Sequence, residues 1–152
     1  MKVARIVVLA LVLAACSGAK PFAEPTRSST APCGAEAVGF KPQTEGATGS
    51  SVVYLEITHS GSPCRFTGDA KLTIEDAGGK PLDVDGNPST QQITRELPLD
   101  AQGVSWIWRN WCGGDIPITF LFEVAGERVE LDARGGARCD EPGGPSTLAA
   151  ID

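Results

Sequence analysis

The chain has 152 residues, with 13 basic against 19 acidic side chains and a formal charge of −6. That balance disfavours long-range attraction to phosphate polymers and anionic lipid, and no Lys/Arg run interleaved with aromatics occurs, so nucleic acid is excluded as a partner. The five cysteines are an odd number, so one is left over once the others pair.

In chain order, the first element is a leader. Lys2 and Arg5 precede an apolar run from Ile6 to Ala15. A positive start followed by about 7–15 apolar residues is the pattern of an export signal. The run is shorter than the roughly 20 residues needed to cross a bilayer. It ends in Leu13-Ala14-Ala15-Cys16, which resembles the bacterial lipobox: a branched apolar residue, two small residues, then the cysteine that receives a diacylglyceryl (palmitate-type) group on its thiol. The resemblance implies a signal peptide over 1–15 and lipidation of Cys16. It also resolves the odd count, leaving Cys33, Cys64, Cys112 and Cys139. Two acyl chains anchor a protein stably where one does not, at about 0.8 kcal/mol per buried methylene. The expected address is therefore the outer face of the cell membrane. Cleavage before Cys16 removes Lys2 and Arg5 and no acidic residue, which takes the net charge from −6 to −8.

From Ser17 to Pro32 the chain is rich in Ser, Thr, Ala and Pro, with Phe22 its one bulky apolar residue. Such a stretch buries too little surface to offset its ordering entropy, which predicts a disordered tether over 16–32. Extended at about 3.1 Å per residue, it reaches at most ~50 Å from the lipid surface.

From Cys33 onward the apolar residues recur with period two, the signature of strands with one buried face. Val53, Leu55 and Ile57 share one face, with Tyr54, Glu56 and Thr58 on the other. Ala70, Leu72 and Ile74 alternate with Lys71, Thr73 and Glu75. Asp76 to Lys80 reads as a Gly-rich turn, after which Leu82 and Val84 open a short strand. Gln91 to Leu97 is a strand ended by Pro98. Val104, Trp106 and Trp108 then make one face, Ile118, Phe120, Phe122 and Val124 another, and Val129 and Leu131 a third. A last strand runs over Thr147 to Ile151. Seven to nine short strands with Gly, Pro and Asp turns predict a single all-β antiparallel sandwich over 33–152.

The four remaining cysteines of an exported chain read as two disulfides, and spacing alone leaves three pairings open. They occur singly, without a C-x-x-C pair or a histidine in register, so zinc and redox roles are not expected. Taken in order, the lipobox, the tether, Cys33-Gly34, "GSPCRFTGDAKLTIEDAGGKPL", "WIWRNWCGG" and "GARCD" are similar to a known group. They resemble the four-cysteine immunoglobulin-like domains of unknown function in secreted proteins and lipoproteins of high-GC Gram-positive bacteria. The phrase G-S-x-C-x-[FL]-x-G corresponds to Gly61 to Gly68, and Trp108 or Trp111 to the tryptophan near the third cysteine. The resemblance implies an immunoglobulin-like sandwich, an envelope address and the sequential pairing Cys33–Cys64 and Cys112–Cys139. It brings no catalytic residue. The segment from Asp83 to Gln92 departs from the family pattern.

Candidate chemistry is sparse. His59 is the only histidine, and neither a G-x-S-x-G elbow nor an oriented acid accompanies it, which predicts a structural histidine. Asp83, Asp85 and Asn87 alternate as calcium ligands do, but Pro88 and Thr94 stand where such a loop needs a glycine and a bidentate acid. A solvated turn is expected there. Glu75–Asp76 and Glu130–Asp132 are carboxylate pairs with nothing to set the separation that glycoside chemistry requires. No cofactor and no metal are expected, and the chain reads as a non-enzyme.

The tryptophan strand is the best binding candidate. Buried, Trp106 and Trp108 fill the core and Trp111 covers the disulfide at Cys112. Exposed, they form with Arg109 and Asn110 a flat surface suited to a sugar ring or a protein hot spot. Two functions follow as expectations: a lipid-anchored binding or scaffolding lipoprotein of the cell envelope, with an envelope protein as partner, or a module binding cell-wall glycan through the tryptophan strand.

Overall fold

The structure, a computed structural model, describes residues 31–47, 49–98, 103–136 and 145–151; the side chains of 47 and 111–114 lie outside that description. After a 3-10 turn at Ala35–Ala37, seven strands follow: β1 Val38–Ala47, β2 Gly49–His59, β3 Cys64–Asp76, β4 Ser89–Leu97, β5 Val104–Val124, β6 Glu127–Gly136 and β7 Thr147–Ile151.

All pairings between these strands are antiparallel, and they form two four-stranded sheets because β5 serves both. Its first half pairs with β2 and β7, giving a first sheet in the order β1-β2-β5-β7. Its second half pairs with β3 and β6, giving a second sheet in the order β4-β3-β5-β6. The two halves face each other across the core, Trp106 against Phe122 at 5.8 Å and Trp108 against Phe120 at 6.1 Å. Those pairs run in opposite order along the chain, so β5 arches from one sheet to the other and returns. Asn110, at φ 53, and a register break between Cys112 and Pro117 mark the arch.

The predicted faces are the buried ones. Val53, Leu55 and Ile57 of β2, Ala70, Leu72 and Ile74 of β3, and Phe120, Phe122 and Val124 of β5 are all at most 1% exposed. Apolar side chains on one face of each sheet leave water together, which is the main term favouring the sandwich. The outer face of the second sheet is charged instead: Arg65 pairs with Glu96 at 2.5 Å, Lys71 with Glu123 at 2.5 Å, and Arg128 with Glu130 at 2.9 Å. The β5–β6 hairpin turns on Ala125 and Gly126, at φ 51 and 85, the two positive values a type I′ turn needs.

Two expectations are corrected. No named strand forms at Leu82 and Val84, because this segment crosses from one sheet to the other and divides its backbone bonds between them. Leu82 N–H donates to the Ile74 carbonyl at 2.9 Å, while Asp85 exchanges bonds with Ser146 and Leu148 at 2.9 and 2.8 Å. Val84 still reaches the core, at 5% exposure. Conversely, β1 was not expected as a strand. It is a sheet edge, where Pro42 is tolerated without an N–H to donate, and Phe40 is its one large apolar side chain turned toward the core.

The crossing depends on Gly86. Its φ is +78, and a Cβ there would stand 2.4 Å from the Leu148 carbonyl oxygen. Gly86→Ala is expected to lose about 2–3 kcal/mol through the strained backbone and the displaced contact. Faster amide exchange at Leu148, ahead of β5, checks that the loss begins where the segment meets β7.

The turn after β3 is tied by Asp76, whose Oδ1 accepts from the N–H groups of Gly78 at 2.8 Å and Lys80 at 3.0 Å. The Lys80 bond first, then the Gly78 bond, hold its carboxyl below the ordinary 3.8. The Lys71 ammonium likewise lowers Glu123. A carboxyl whose pKa is depressed by folding contributes stability that is complete above its unfolded value and is lost as pH falls through the folded one. Melting temperature is therefore expected to fall on acidification below about pH 4. Asp76→Asn keeps the acceptor but removes the titration, so its decline should be shallower.

Candidate functional site

The tryptophan strand is the first half of β5. Because β5 lies inside the first sheet with its even-numbered side chains turned inward, Trp106 and Trp108 are both 0% exposed. Trp108 Nε1–H donates to Ser146 Oγ at 2.7 Å, and that hydroxyl lies 3.4 Å from the Arg109 carbonyl it donates to. The indole thus fixes the lead-in to β7. Trp106 Nε1 is buried without a hydrogen-bond partner among the described residues, its ring set edge-on against Phe122 at an interplanar angle of 61°. Arg109 is exposed on the outer face, while Asn110 donates through Nδ2 to the Pro145 carbonyl at 2.9 Å. The side chain of Trp111 lies outside the described residues. A glycan surface built on Trp106 and Trp108 has no ring face to offer. Of the two readings of this strand, their packing is that of the core.

Among the described residues one disulfide forms, joining Cys33 to Cys64 with a Cα–Cα distance of 4.9 Å. Around it the segment ahead of β1 is laced to the start of β3: Arg65 N–H donates to the Ala31 carbonyl at 2.8 Å, and Cys33 N–H to the Arg65 carbonyl at 3.0 Å. The second pairing, Cys112–Cys139, lies outside the described residues, as does Cys16. Backbone register sets Cys112 opposite Gly136.

No family model matches the chain, and no curated protein or solved structure matches it either.

The remaining candidates have structural partners. Asn87 is not available as a cation ligand: its Oδ1 accepts from Ile74 N–H at 2.9 Å, and its Nδ2 donates to the carbonyls of Ile74 at 2.9 Å and Leu82 at 3.0 Å. The amide stands in for a strand partner along β3, while Asp83 and Asp85 face solvent. His59 ends β2, half-buried, with Nε2 shielded from solvent and lacking a hydrogen-bond partner among the described residues, and Ser60 beyond it is exposed. Asp76 is committed to its turn, Glu130 to Arg128, and Asp132 accepts from Thr119 at 3.3 Å.

What sequence reasoning did not assemble is the outer face of the first sheet. Gln43 is the register partner of Tyr54, and Tyr54 of Ser105, so these three form one row across β1, β2 and β5. The outward position of Tyr54 and Glu56 was legible from alternation. Their neighbours Gln43 and Glu45 were not, because β1 itself was not recognised.

Proposed function

We propose that the protein is a non-catalytic binding or scaffolding lipoprotein of the bacterial cell envelope, held on the outer face of the membrane by lipid on Cys16 and belonging to the four-cysteine immunoglobulin-like group. The observation that carries this reading is the run Leu13-Ala14-Ala15-Cys16 directly after a short apolar segment with Lys2 and Arg5 before it. The geometry where the chain enters the sandwich suits a tethered domain. Residues 31–33 are laced to β3, an interior strand of the second sheet, and Cys33–Cys64 closes that junction covalently. Force arriving along a tether would load a central strand rather than peel an edge.

The two-sheet all-β architecture with a disulfide near its first strand supports the family reading. The bridge departs from antibody domains, where the disulfide spans the two sheets beside a core tryptophan. The commitment of Asn87, Asp76 and Glu130 to structural bonds supports a binding role over catalysis.

Intact mass of protein extracted from membranes tests the anchor. The expected species begins at Cys16 and carries acyl chains, and Cys16→Ser moves to the soluble fraction. A mature mass without lipid overturns the proposal. Cross-linking on living cells, with Cys16→Ser as control, tests the scaffold role: a specific envelope protein enriched only with the intact anchor is the expected result.

A further inference from the structure

The two sheets present very different outer faces. On the second, charges pair with one another, across strands in Arg65–Glu96 and Lys71–Glu123 and along β6 in Arg128–Glu130. On the first, the outward side chains include Lys41, Gln43 and Glu45 of β1, Tyr54 and Glu56 of β2, and Ser105 of β5. Among them runs a groove of about 460 Å³, lined by Gln43, Glu45, Tyr54, Glu56 and Ser105 and by the backbone around Gly103. Its size falls within the range of small-ligand sites. Gly103 shapes one wall: a Cβ there would stand 1.8 Å from the Leu55 carbonyl oxygen, so the lead-in to β5 lies against β2 as bare backbone.

We propose that this groove binds an amine-bearing saccharide, the tyrosine ring supplying an apolar platform and the carboxylates the polar grip. Tyr54 is 36% exposed and stands in the middle of a three-strand row, so its ring is held on the sheet rather than on a loop. Side chains directly across such a row are about 5 Å apart and diagonal ones about 7 Å, a spacing at which several polar groups meet one sugar residue around the ring. Glu56 is oriented by Gln43, whose Nε2 donates to it at 2.9 Å, with Lys41 3.9 Å away. Two carboxylates against one ammonium, itself set beside Glu56, leave the groove acidic. Charge complementarity therefore selects a cationic amino sugar over an anionic one. The hydroxyls of such a ligand find acceptors and donors in Gln43 and Ser105, and its ring C–H face covers Tyr54.

This reading rests on the binding-module half of the proposed function and is independent of the lipid, so Cys16→Ser is expected to bind alike. Tyr54 is the only tyrosine in the chain, and fluorotyrosine incorporation gives one fluorine resonance at the groove itself. Full-length protein in detergent micelles would be titrated with a glucosamine tetramer, with cellotetraose as the neutral and tetragalacturonate as the anionic comparison. The expected result is a saturable shift with the glucosamine tetramer, weaker binding of cellotetraose, and none of the anionic sugar. Glu45→Gln, which keeps the reporter, is expected to weaken the amine-bearing ligand about tenfold while leaving cellotetraose unchanged. Unchanged tryptophan emission shows that this variant is folded. The absence of a saturable shift, or undiminished affinity in Glu45→Gln, overturns the proposal.

Discussion

Trp108→Ala is expected to destabilise the domain by about 4–5 kcal/mol, the upper end for truncating a large buried aromatic. The side chain is 0% exposed, packs edge-to-face on Phe120, and holds Ser146 through its indole N–H at 2.7 Å. Truncation thus opens a cavity between the two halves of β5 and frees a buried hydroxyl at the lead-in to β7. Against the total of about 5–15 kcal/mol that holds a typical domain, a loss of this size leaves little. Chemical denaturation with tryptophan emission and far-ultraviolet dichroism as parallel probes measures it. Trp106→Phe offers the contrast. Its indole N–H has no hydrogen-bond partner among the described residues, so replacement also removes an unsatisfied buried donor. Trp106→Phe is therefore expected to cost less than Trp108→Phe, although both tryptophans are equally buried. Equal losses in the two Phe variants would mean that the Ser146 bond contributes nothing net.

Opening Cys33–Cys64, by Cys→Ser at both positions, is expected to cost about 3.5 kcal/mol. The bridge closes a loop with a sequence separation of 31, and the chain-entropy model gives that figure for a loop of this length. For a domain of roughly 120 residues this corresponds to about 10–15 °C in melting temperature. Because this term acts through the unfolded state, amides of β6 and β7 that exchange only by global unfolding should lose protection by the same amount. Cys33 and Arg65, whose N–H groups bond across the junction at 3.0 and 2.8 Å, should exchange by local opening as well and quicken most. Protection lost at the junction alone would show instead that the bridge acts locally. A double variant that melts within a degree or two of the native chain would show that backbone bonding alone holds the junction.

Which faces are buried follows from the order of residues along each strand. Alternation of side chains is a local consequence of extended backbone, so Val53-Leu55-Ile57, Ala70-Leu72-Ile74 and Ile118-Phe120-Phe122-Val124 could be assigned inward before any partner strand was known. The Asp76 turn and the Ala125-Gly126 hairpin were legible for a similar reason, since their residue types answer to short-range backbone demands. Tertiary structure alone decided the rest. β1 carries Pro42 at a sheet edge and one large inward side chain, Phe40, so too little burial is written into it for a periodic signal. The arch of β5 places Trp106 over Phe122 and Trp108 over Phe120, a pairing of residues sixteen and twelve positions apart that no local pattern encodes. That arch, rather than residue type, put the tryptophans in the core instead of on the surface. Likewise, Asn87 has the spacing of a ligand, but its amide is taken by Ile74 of β3, through two bonds, and by the Leu82 carbonyl. The groove at Tyr54 exists because β1 returns beside β2 and Gly103 lets β5 lie close. Neighbours of that kind are chosen by how the whole chain buries its apolar faces, and periodicity along one strand carries no record of them.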